Sequence, residues 1–523
     1  MTARDQAVAA APRPLRDPVL AFVLAAALVA CLPFTRYVSW LGDEGVLLNG
    51  ATRMMSGEVL YRDVFAFLPP GGYLLTEAWM RIVGDSLVAA RAFAIAVAVL
   101  TTCVVYLACV AEGAGRAAAA CLALGWVATT QGDWTVVNHH AITTLLSMGA
   151  ALTTVRVLRG RDQTRTAFLA GVLAGAAAMV TQSRGALAVA ACLAALLAAR
   201  RSRSELLALI AGTAAAPLLA VGWLLAHGAF GDAFRDIVVL TAQRYAPVQG
   251  VPFGYWADQQ TWPLAALFPV VAVLVLARAA VEGRAFFGDA RARAWLLFAV
   301  AAFVGCFPRP DTVHIGFNAP LALPLFAGCA GSLLARQRQF LRRAAVVALA
   351  AILLPSAVAL AGQARAVAFR LHTYPSPRGP VVLGGGTNPP ATAALIAEIH
   401  SLPGGDRLFF YPYQPMLIFL TARAQVGPFD ILNPGYSLPE EYRKACEDAA
   451  ARADHVVIDT KWASPAWLKR IFPTLVNASP PEKVAFESAL RANFELVHVI
   501  GPYEFRTRRP GASRAACAGV TPG

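Results

Sequence analysis

The chain has 523 residues, of which 57% are hydrophobic and only 15% are charged, and its formal net charge is +14. Soluble domains average roughly 25% charged residues, so a single water-soluble globule of this length is disfavoured, because too little polar surface would cover its core. The mean hydropathy of +0.55 instead indicates an integral membrane protein.

The charge is unevenly distributed along the chain. Residues 1–362 hold 28 Arg and 18 acidic residues, and most of these Arg lie in short clusters between long apolar runs. Residues 363–523 hold 17 Lys and Arg against 13 acidic residues, which is an ordinary ratio. This distribution argues against a nucleic-acid partner despite the net charge, and it indicates a transmembrane region followed by a soluble tail.

The apolar runs of the first 362 residues have the length of transmembrane helices. A helix needs roughly 20 apolar residues to cross a bilayer. Eleven candidate segments are 17–35, 86–110, 117–131, 139–157, 166–182, 185–199, 205–226, 263–281, 294–308, 317–335 and 342–362. The sequence therefore predicts a polytopic α-helical membrane protein with about eleven transmembrane helices.

The Arg residues in the loops predict the orientation of these helices. Short loops rich in Lys and Arg face the cytoplasm. With the N-terminus in the cytoplasm, nineteen Arg fall on the inside and eight on the outside. The 41 Arg against 4 Lys are typical of a GC-rich bacterial genome. We therefore predict a multi-pass protein of the bacterial inner membrane, with a first outer loop at 36–85 and an extracytoplasmic tail.

The tail, residues 363–523, alternates strand-like and helix-like stretches and predicts a small α/β domain. The strands are expected at 407–410, 416–420, 455–458 and 494–499, and the helices at 440–452 and 481–492. Cys446 and Cys517 lie in this domain and could pair. The expected role of the domain is acceptor binding or structural cover, and the segment 411–415 is expected to shape a loop.

Two adjacent carboxylates, Asp43 and Glu44, lie just beyond the end of the first predicted span. Charged side chains so close to the membrane are energetically costly unless they form ion pairs or have a function. One carboxylate could act as a general base on an acceptor hydroxyl. Alternatively, Asp43 caps a helix and Glu44 is solvated. The residues by themselves leave both interpretations open.

Three motifs of the first outer loop resemble those of the GT-C superfamily of membrane glycosyltransferases. The motifs are Asp43-Glu44, Gly57-Glu58-Val59-Leu60-Tyr61-Arg62-Asp63 and Pro69-Pro70-Gly71-Gly72-Tyr73. The branch they resemble most is the bacterial, glycosyltransferase family 39-like group, which is related to protein O-mannosyltransferases and lipid A aminoarabinose transferases. The resemblance implies a polyprenyl-phosphate sugar as donor and places Asp43 at the reacting centre, with Glu44 beside it.

A polyprenyl-phosphate donor needs cations or hydrogen-bond donors where its leaving phosphate develops charge, and Arg suits this by its bidentate geometry. The candidate substrate- and phosphate-binding residues are Arg62, Asp63, Tyr73, His139, His140, Arg184, Arg309, Asp311 and His314. Structural roles stay open for several of them. Arg184 could be a side chain that reaches the membrane interface, and the Arg309 cluster could be an ion pair that closes a loop. His139 and His140 could be packed residues that follow a helix cap.

No metal is expected. The adjacent residues His139 and His140 point about 100° apart on a helix, and no Cys or acidic residue nearby completes a ligand set. No protein nucleophile is needed, since the activation is stored in the sugar–phosphate bond of the donor, and no cofactor beside this donor substrate is predicted.

Together these features predict an inverting glycosyltransferase that moves a hexosyl or pentosyl group from a polyprenyl-phosphate donor to an envelope lipid, glycan or protein. Its partners would be membrane lipids, the donor and the acceptor. A flippase for a lipid-linked sugar is the alternative, although no paired repeats typical of transporters are visible. A noncatalytic envelope scaffold is a third possibility.

Overall fold

The protein is described here by a computed structural model that covers residues 17–520. Residues 17–369 are mostly helical. The longer helices are Pro18–Cys31, Asp43–Met55, Gly71–Val83, Leu87–Ala111, Arg116–Thr130, His139–Arg159, Thr164–Ala178, Gln182–Ala198, Arg203–Ala226, Trp262–Glu282, Ala290–Val304, Leu323–Ala335 and Gln339–Phe369. Short helices lie at Phe230–Phe234, Ala246–Gln249, Arg284–Gly288 and Thr312–Asn318, and Arg235–Tyr245 is a π-helix. Each of the eleven predicted spans coincides with helix.

Helix length separates clear spans from shorter ones. Among the described residues, six helices are long and apolar enough to cross a membrane, or seven if the bent pair Thr312–Leu321 and Leu323–Ala335 is one span. A helix such as Thr164–Ala178 has 15 residues, which is about 23 Å at 1.5 Å per residue, against a hydrocarbon core of about 30 Å. The polytopic helical class is confirmed, and the number of eleven crossings stays a prediction.

Small residues allow the helices to approach closely. A Cβ atom at Gly171 would overlap the carbonyl oxygen of Leu209, and one at Gly212 would overlap that of Phe168. Such small residues are typical of helix contacts in lipid, where close van der Waals packing replaces the hydrophobic driving force.

The tail forms one sheet of its own, shares a smaller sheet with the first loop and contains several helices. The strands are β1 (Tyr37–Val38), β2 (Thr373–Tyr374), β3 (Val381–Leu383), β4 (Leu408–Tyr411), β5 (His455–Asp459), β6 (Phe494–Ile500) and β7 (Tyr503–Arg508). The sheet orders are β1-β3-β2 and β4-β5-β7-β6, and β4 and β5 are parallel. The helices are Pro389–Ser401, Pro415–Thr421, Pro439–Arg452, Thr460–Ala463, Pro465–Ile471 and Pro481–Asn493.

The tail is joined to the first loop rather than standing apart from it. β1 belongs to the loop and pairs in parallel with β3 of the tail. The helices Asp43–Met55 and Pro415–Thr421 share one apolar core. Their close approach depends on Gly45, where a Cβ would overlap the backbone of Met416. The domain boundary predicted at residue 362 falls inside the helix Gln339–Phe369, which continues into the tail.

Two sequence expectations for the tail have clear outcomes. Residues 416–420, predicted as a strand, form the helix Pro415–Thr421, so that prediction is wrong. The reason is that a short apolar run buried on all sides has no periodicity to separate strand from helix. Cys446 and Cys517 do pair, with their Cα atoms 5.8 Å apart.

Candidate active site

A cavity of about 580 Å³ lies between the tail and one end of the helical bundle. The bundle contributes the first loop and the segments 133–140, 245–256 and 309–314 to its wall. The Arg distribution assigns all of these segments to the same side of the membrane. Seven predicted site residues line this cavity: Asp43, Glu44, His139, His140, Arg309, Asp311 and His314.

Asp43 presents its carboxylate to the cavity. It stands at the first position of the helix Asp43–Met55, where a negative charge is favoured by the helix dipole. Its side chain is exposed, and its Oδ1 accepts a hydrogen bond of 2.6 Å from the hydroxyl of Tyr413 in the tail. Burial and the charge of Asp43 raise the pKa of Tyr413 well above its usual value. Tyr413 therefore stays a neutral donor that orients the carboxylate.

Glu44 has a different environment from its neighbour. Its side chain is buried, and its Oε2 lies 2.7 Å from Nη2 of Arg91. Its Oε1 accepts a hydrogen bond of 3.1 Å from the backbone N–H of Val137. Arg91 also donates to the carbonyl of Tyr37 at 2.6 Å. Glu44 thus ties the first loop to the bundle, and these contacts are those of a positioning residue.

Arg309, Asp311 and His314 form one connected group. Arg309 Nε lies 2.8 Å from Oδ2 of Asp311, and His314 Nδ1 lies 2.7 Å from Oδ1. Burial opposes ionisation of Asp311, but the hydrogen bonds and charges of His314 and Arg309 hold its pKa below the usual range. Arg309 Nη1 donates to Gln249 and to the carbonyl of Ile471. Within residues 17–520 the remaining Nη2 donates to no protein group, so it is free for a ligand.

The two adjacent imidazoles are packed against the bundle. The rings of His139 and His140 are 3.9 Å apart, and those of His140 and His314 are 4.7 Å apart. Arg184 lies behind this group and does not line the cavity. It donates to His140 Nδ1 at 3.2 Å and to Asn318 Oδ1 at 3.0 Å. In the described part of the chain no carboxylate lies within 4.0 Å of Arg184, so its buried guanidinium has no ion-pair partner there.

Besides Arg184, three predicted binding residues are not brought to the cavity. Arg62 pairs with Asp63 at 2.7 Å, half-exposed on the loop surface. Asp63 also accepts the backbone N–H of Val59 at 2.8 Å and so shapes the loop. Tyr73 is buried beside Gly50 between the two loop helices. The contacts of these three side chains are structural.

Sequence reasoning missed several residues of the site. Arg91 is an ionisable residue inside a predicted span, which is by itself a signal of function or of a buried partner. Tyr413 was not expected to belong to the site, since its segment, residues 411–415, was predicted only to shape a loop. The aromatic residues Trp462 and Trp467 and the amide of Asn433 also line the cavity. No local pattern marks these tail residues.

The residues present do not assemble a metal cluster. Between residues 17 and 520 no group of three or more His, Cys, Asp or Glu side chains is arranged to hold a metal ion. The expectation of a metal-independent reaction stays a prediction.

The fold and the site together define a polytopic membrane protein with a polar cavity between its helices and a tail domain. Residues 68–224 match the family described as dolichyl-phosphate-mannose-protein mannosyltransferase. No curated protein sequence matches the chain.

Solved structures of low sequence identity share this fold. One is ArnT from Cupriavidus metallidurans bound to undecaprenyl phosphate, with a TM-score of 0.54 and 14% identity over 95% of this chain and 98% of that chain. Another is the oligosaccharyltransferase AglB from Archaeoglobus fulgidus in complex with an inhibitory peptide and a dolichol-phosphate, with a TM-score of 0.50 and 14% identity over 87% and 71%. The arabinofuranosyltransferase AftD from Mycobacteria has a TM-score of 0.51 and 16% identity over 94% of this chain and 40% of its own. The chain therefore resembles the GT-C membrane glycosyltransferases of the ArnT and protein O-mannosyltransferase kind, as its loop motifs predict.

Proposed function

We propose that this protein is an inverting glycosyltransferase that uses a polyprenyl-phosphate sugar as donor. Its acceptor is a lipid, glycan or protein of the cell envelope, and the reaction takes place at the outer face of the bacterial inner membrane. The observation that supports this proposal most is the placement of Asp43. Among residues 17–520 its Oδ2 has no hydrogen-bond partner, and the cavity that it faces is also lined by Arg309 and three imidazoles.

The proposed reaction follows from the groups that line this cavity. The free oxygen of Asp43 takes the proton of the acceptor hydroxyl as that oxygen attacks the anomeric carbon. The bond between this carbon and the phosphate oxygen breaks, and the polyprenyl phosphate leaves with the electron pair. A single displacement from the opposite face inverts the configuration.

Arg309 suits the leaving phosphate. Arg309 has a free Nη2, and its Nε and Nη1 are held in place by protein acceptors. Preorganised donors of this kind stabilise charge that develops in the transition state. Arg184 adds a buried positive charge one layer behind, and the apolar faces of the helices would accommodate the polyprenyl chain.

The test is the release of polyprenyl phosphate from a panel of polyprenyl-phosphate sugars by purified protein, with crude envelope acceptors. We expect release by the wild type and a loss of about 100-fold in Asp43→Asn, which keeps the shape but removes the base. Glu77→Gln is the matched control, because Glu77 lies in the same outer loop and pairs only with Arg81 on its own helix.

The other outcomes separate the alternatives. Equal release by the wild type and Asp43→Asn would remove Asp43 from the role of base. If no donor releases polyprenyl phosphate while both proteins are folded, a flippase becomes the better interpretation. If the protein is a noncatalytic scaffold, Asp43→Ala should change only the stability of the protein.

A further inference from the structure

The tail wall of the cavity, which we define as Asn433, Trp462 and Trp467 of the tail together with Trp40 of the first loop, has a chemistry of its own. It carries aromatic rings and neutral polar groups, and the tail cation Arg470 lies over the Trp467 ring at its border. We propose that this tail wall is a carbohydrate subsite that holds one hydroxylated sugar ring of the transfer reaction. The assignment rests on the proposed function, because it takes the ring to be part of the donor or of the acceptor.

Asn433 is the main observation. Its side chain is only 3% exposed and lines the cavity, yet its Oδ1 has no hydrogen-bond partner among the described residues. Only its backbone carbonyl is used, by the N–H groups of Tyr436 and Ser437. Buried side-chain amides are normally satisfied. An amide with both a donor and an acceptor suits a sugar hydroxyl, which also donates and accepts.

Two indole N–H groups point to the same kind of ligand. Nε1 of Trp40 and Nε1 of Trp467 are buried and make no hydrogen bond within residues 17–520. Buried Trp usually finds a partner for its N–H. The cavity therefore brings three neutral polar groups without partners close to an aromatic surface. Such a wall is complementary to a sugar ring, which has both hydroxyl groups and apolar C–H groups.

The rings around these groups are fixed in place. Trp462 packs edge-to-face against Trp40 at 4.9 Å and lies 6.0 Å from Trp467. Lys461 and Arg470 lie over the Trp467 ring at 4.2 and 5.5 Å, so its N–H edge rather than its face is available to a ligand. A preorganised wall of this kind loses little freedom when a ligand binds.

The tail wall lies beside the base. The ring of Trp462 is 5.5 Å from that of Tyr413, and the hydroxyl of Tyr413 is bonded to Asp43. A sugar ring held on the tail wall therefore has its hydroxyls or its anomeric carbon near the Asp43 carboxylate.

The first experiment measures binding without turnover, by saturation-transfer NMR with methyl glycosides of several hexoses and pentoses added to the purified full chain. We expect a signal with the wild type and with Asp43→Asn. Asn433→Ala and Trp467→Phe, which each remove hydrogen bonds to the ligand, should weaken binding about 5-fold or more. Trp79→Phe is the matched control, since its N–H is bonded to the carbonyl of Ala89 outside the cavity.

Two results would overturn the subsite. One is the absence of signal from every glycoside with folded wild type. The other is equal signal from the wild type, Asn433→Ala and Trp467→Phe. If the signal is present and lost in these variants but no donor releases polyprenyl phosphate, the subsite is supported and the transferase proposal fails, so the two are distinguishable.

A second experiment assigns the ring, using polyprenyl phosphate release with and without acceptor. If the ring belongs to the donor, Asn433→Ala lowers release in both conditions. If it belongs to the acceptor, Asn433→Ala raises the acceptor KM and leaves the slow release to water unchanged. Either pattern supports the subsite, whereas unchanged release and KM would contradict it.

Discussion

The two neighbouring carboxylates Asp43 and Glu44 differ in burial and in their hydrogen-bond partners. Glu44 is neutralised by Arg91 in a buried ion pair, so its charge is compensated. Removing one partner of such a pair typically costs about 3–5 kcal/mol, since it leaves an unpaired buried charge. Asp43 accepts a hydrogen bond from the neutral hydroxyl of Tyr413 and lines the cavity. The two adjacent positions thus have different contacts, since Glu44 joins the loop to the bundle and Asp43 faces the cavity.

At this scale, Tyr413→Phe tests whether the hydroxyl orients the base. A hydrogen bond to a charged acceptor contributes about 1.5–3 kcal/mol, so we expect polyprenyl phosphate release to fall about 10- to 100-fold. Tyr411→Phe is the control, because that hydroxyl is bonded to Glu487 at 2.9 Å instead. The orienting role fails if Tyr413→Phe releases product at the wild-type rate, or if Tyr411→Phe loses as much.

At the scale of elements, the π-helix Arg235–Tyr245 and the helix Pro439–Arg452 each carry a buried carboxyl. Burial raises the pKa of Asp236 to about 6, although Arg235 lies 2.8 Å away. Burial also raises the pKa of Glu441 to about 7, and the charge of Asp236 acts in the same direction. Both groups are therefore protonated in the folded state at mildly acidic pH.

These raised pKa values predict a pH-dependent stability. Between about pH 4 and pH 7 the folded chain holds protons that the unfolded chain releases, so stability falls as pH rises through this window. Each carboxyl accounts for about 3 kcal/mol at most. In thermal unfolding of the purified protein, Asp236→Asn and Glu441→Gln should raise Tm at pH 8 and reduce its difference from Tm at pH 5.

Glu440→Gln controls for the loss of charge on the same helix, since Glu440 is exposed beside Glu441. A wild-type Tm that rises from pH 5 to pH 8, with no change in that slope in either variant, would contradict the assignment of these two groups.

At the scale of the whole molecule, the tail closes the cavity that the bundle leaves open. It does so through the β1–β3 pairing, through the core shared with the first loop and through the contact of Asp43 with Tyr413. The bond between Cys446 and Cys517 links positions 71 residues apart within the tail. A disulfide of this span typically stabilises by about 4 kcal/mol, and it forms in oxidising compartments.

These features predict that the tail is exported. Alkaline phosphatase fused to the C-terminus of the full chain should be active, and a green fluorescent protein at the same place should be dark. Fusions placed after Gln337, in an Arg-rich loop, should give the reverse. A fluorescent C-terminal fusion together with inactive phosphatase would place the tail in the cytoplasm and exclude the proposed sidedness.

The sequence alone predicted the helical membrane class, the positions of the long apolar helices and, through the resemblance of its loop motifs, Asp43 as the candidate base. Helices are local structures, and an apolar run of sufficient length is visible without knowledge of its neighbours. Asp43 could also be identified from the sequence, because its loop motif consists of contiguous residues.

Only the tertiary structure decided which predicted residues meet. It brought Asp43, Arg309 and His314 to one cavity and left Arg62 on the loop surface. It also added Tyr413, which is 370 residues from Asp43 along the chain. The physical reason is that burial, ion pairing and the hydrogen-bond partners of each polar group depend on segments far apart in the sequence. Local periodicity contains no information about these contacts.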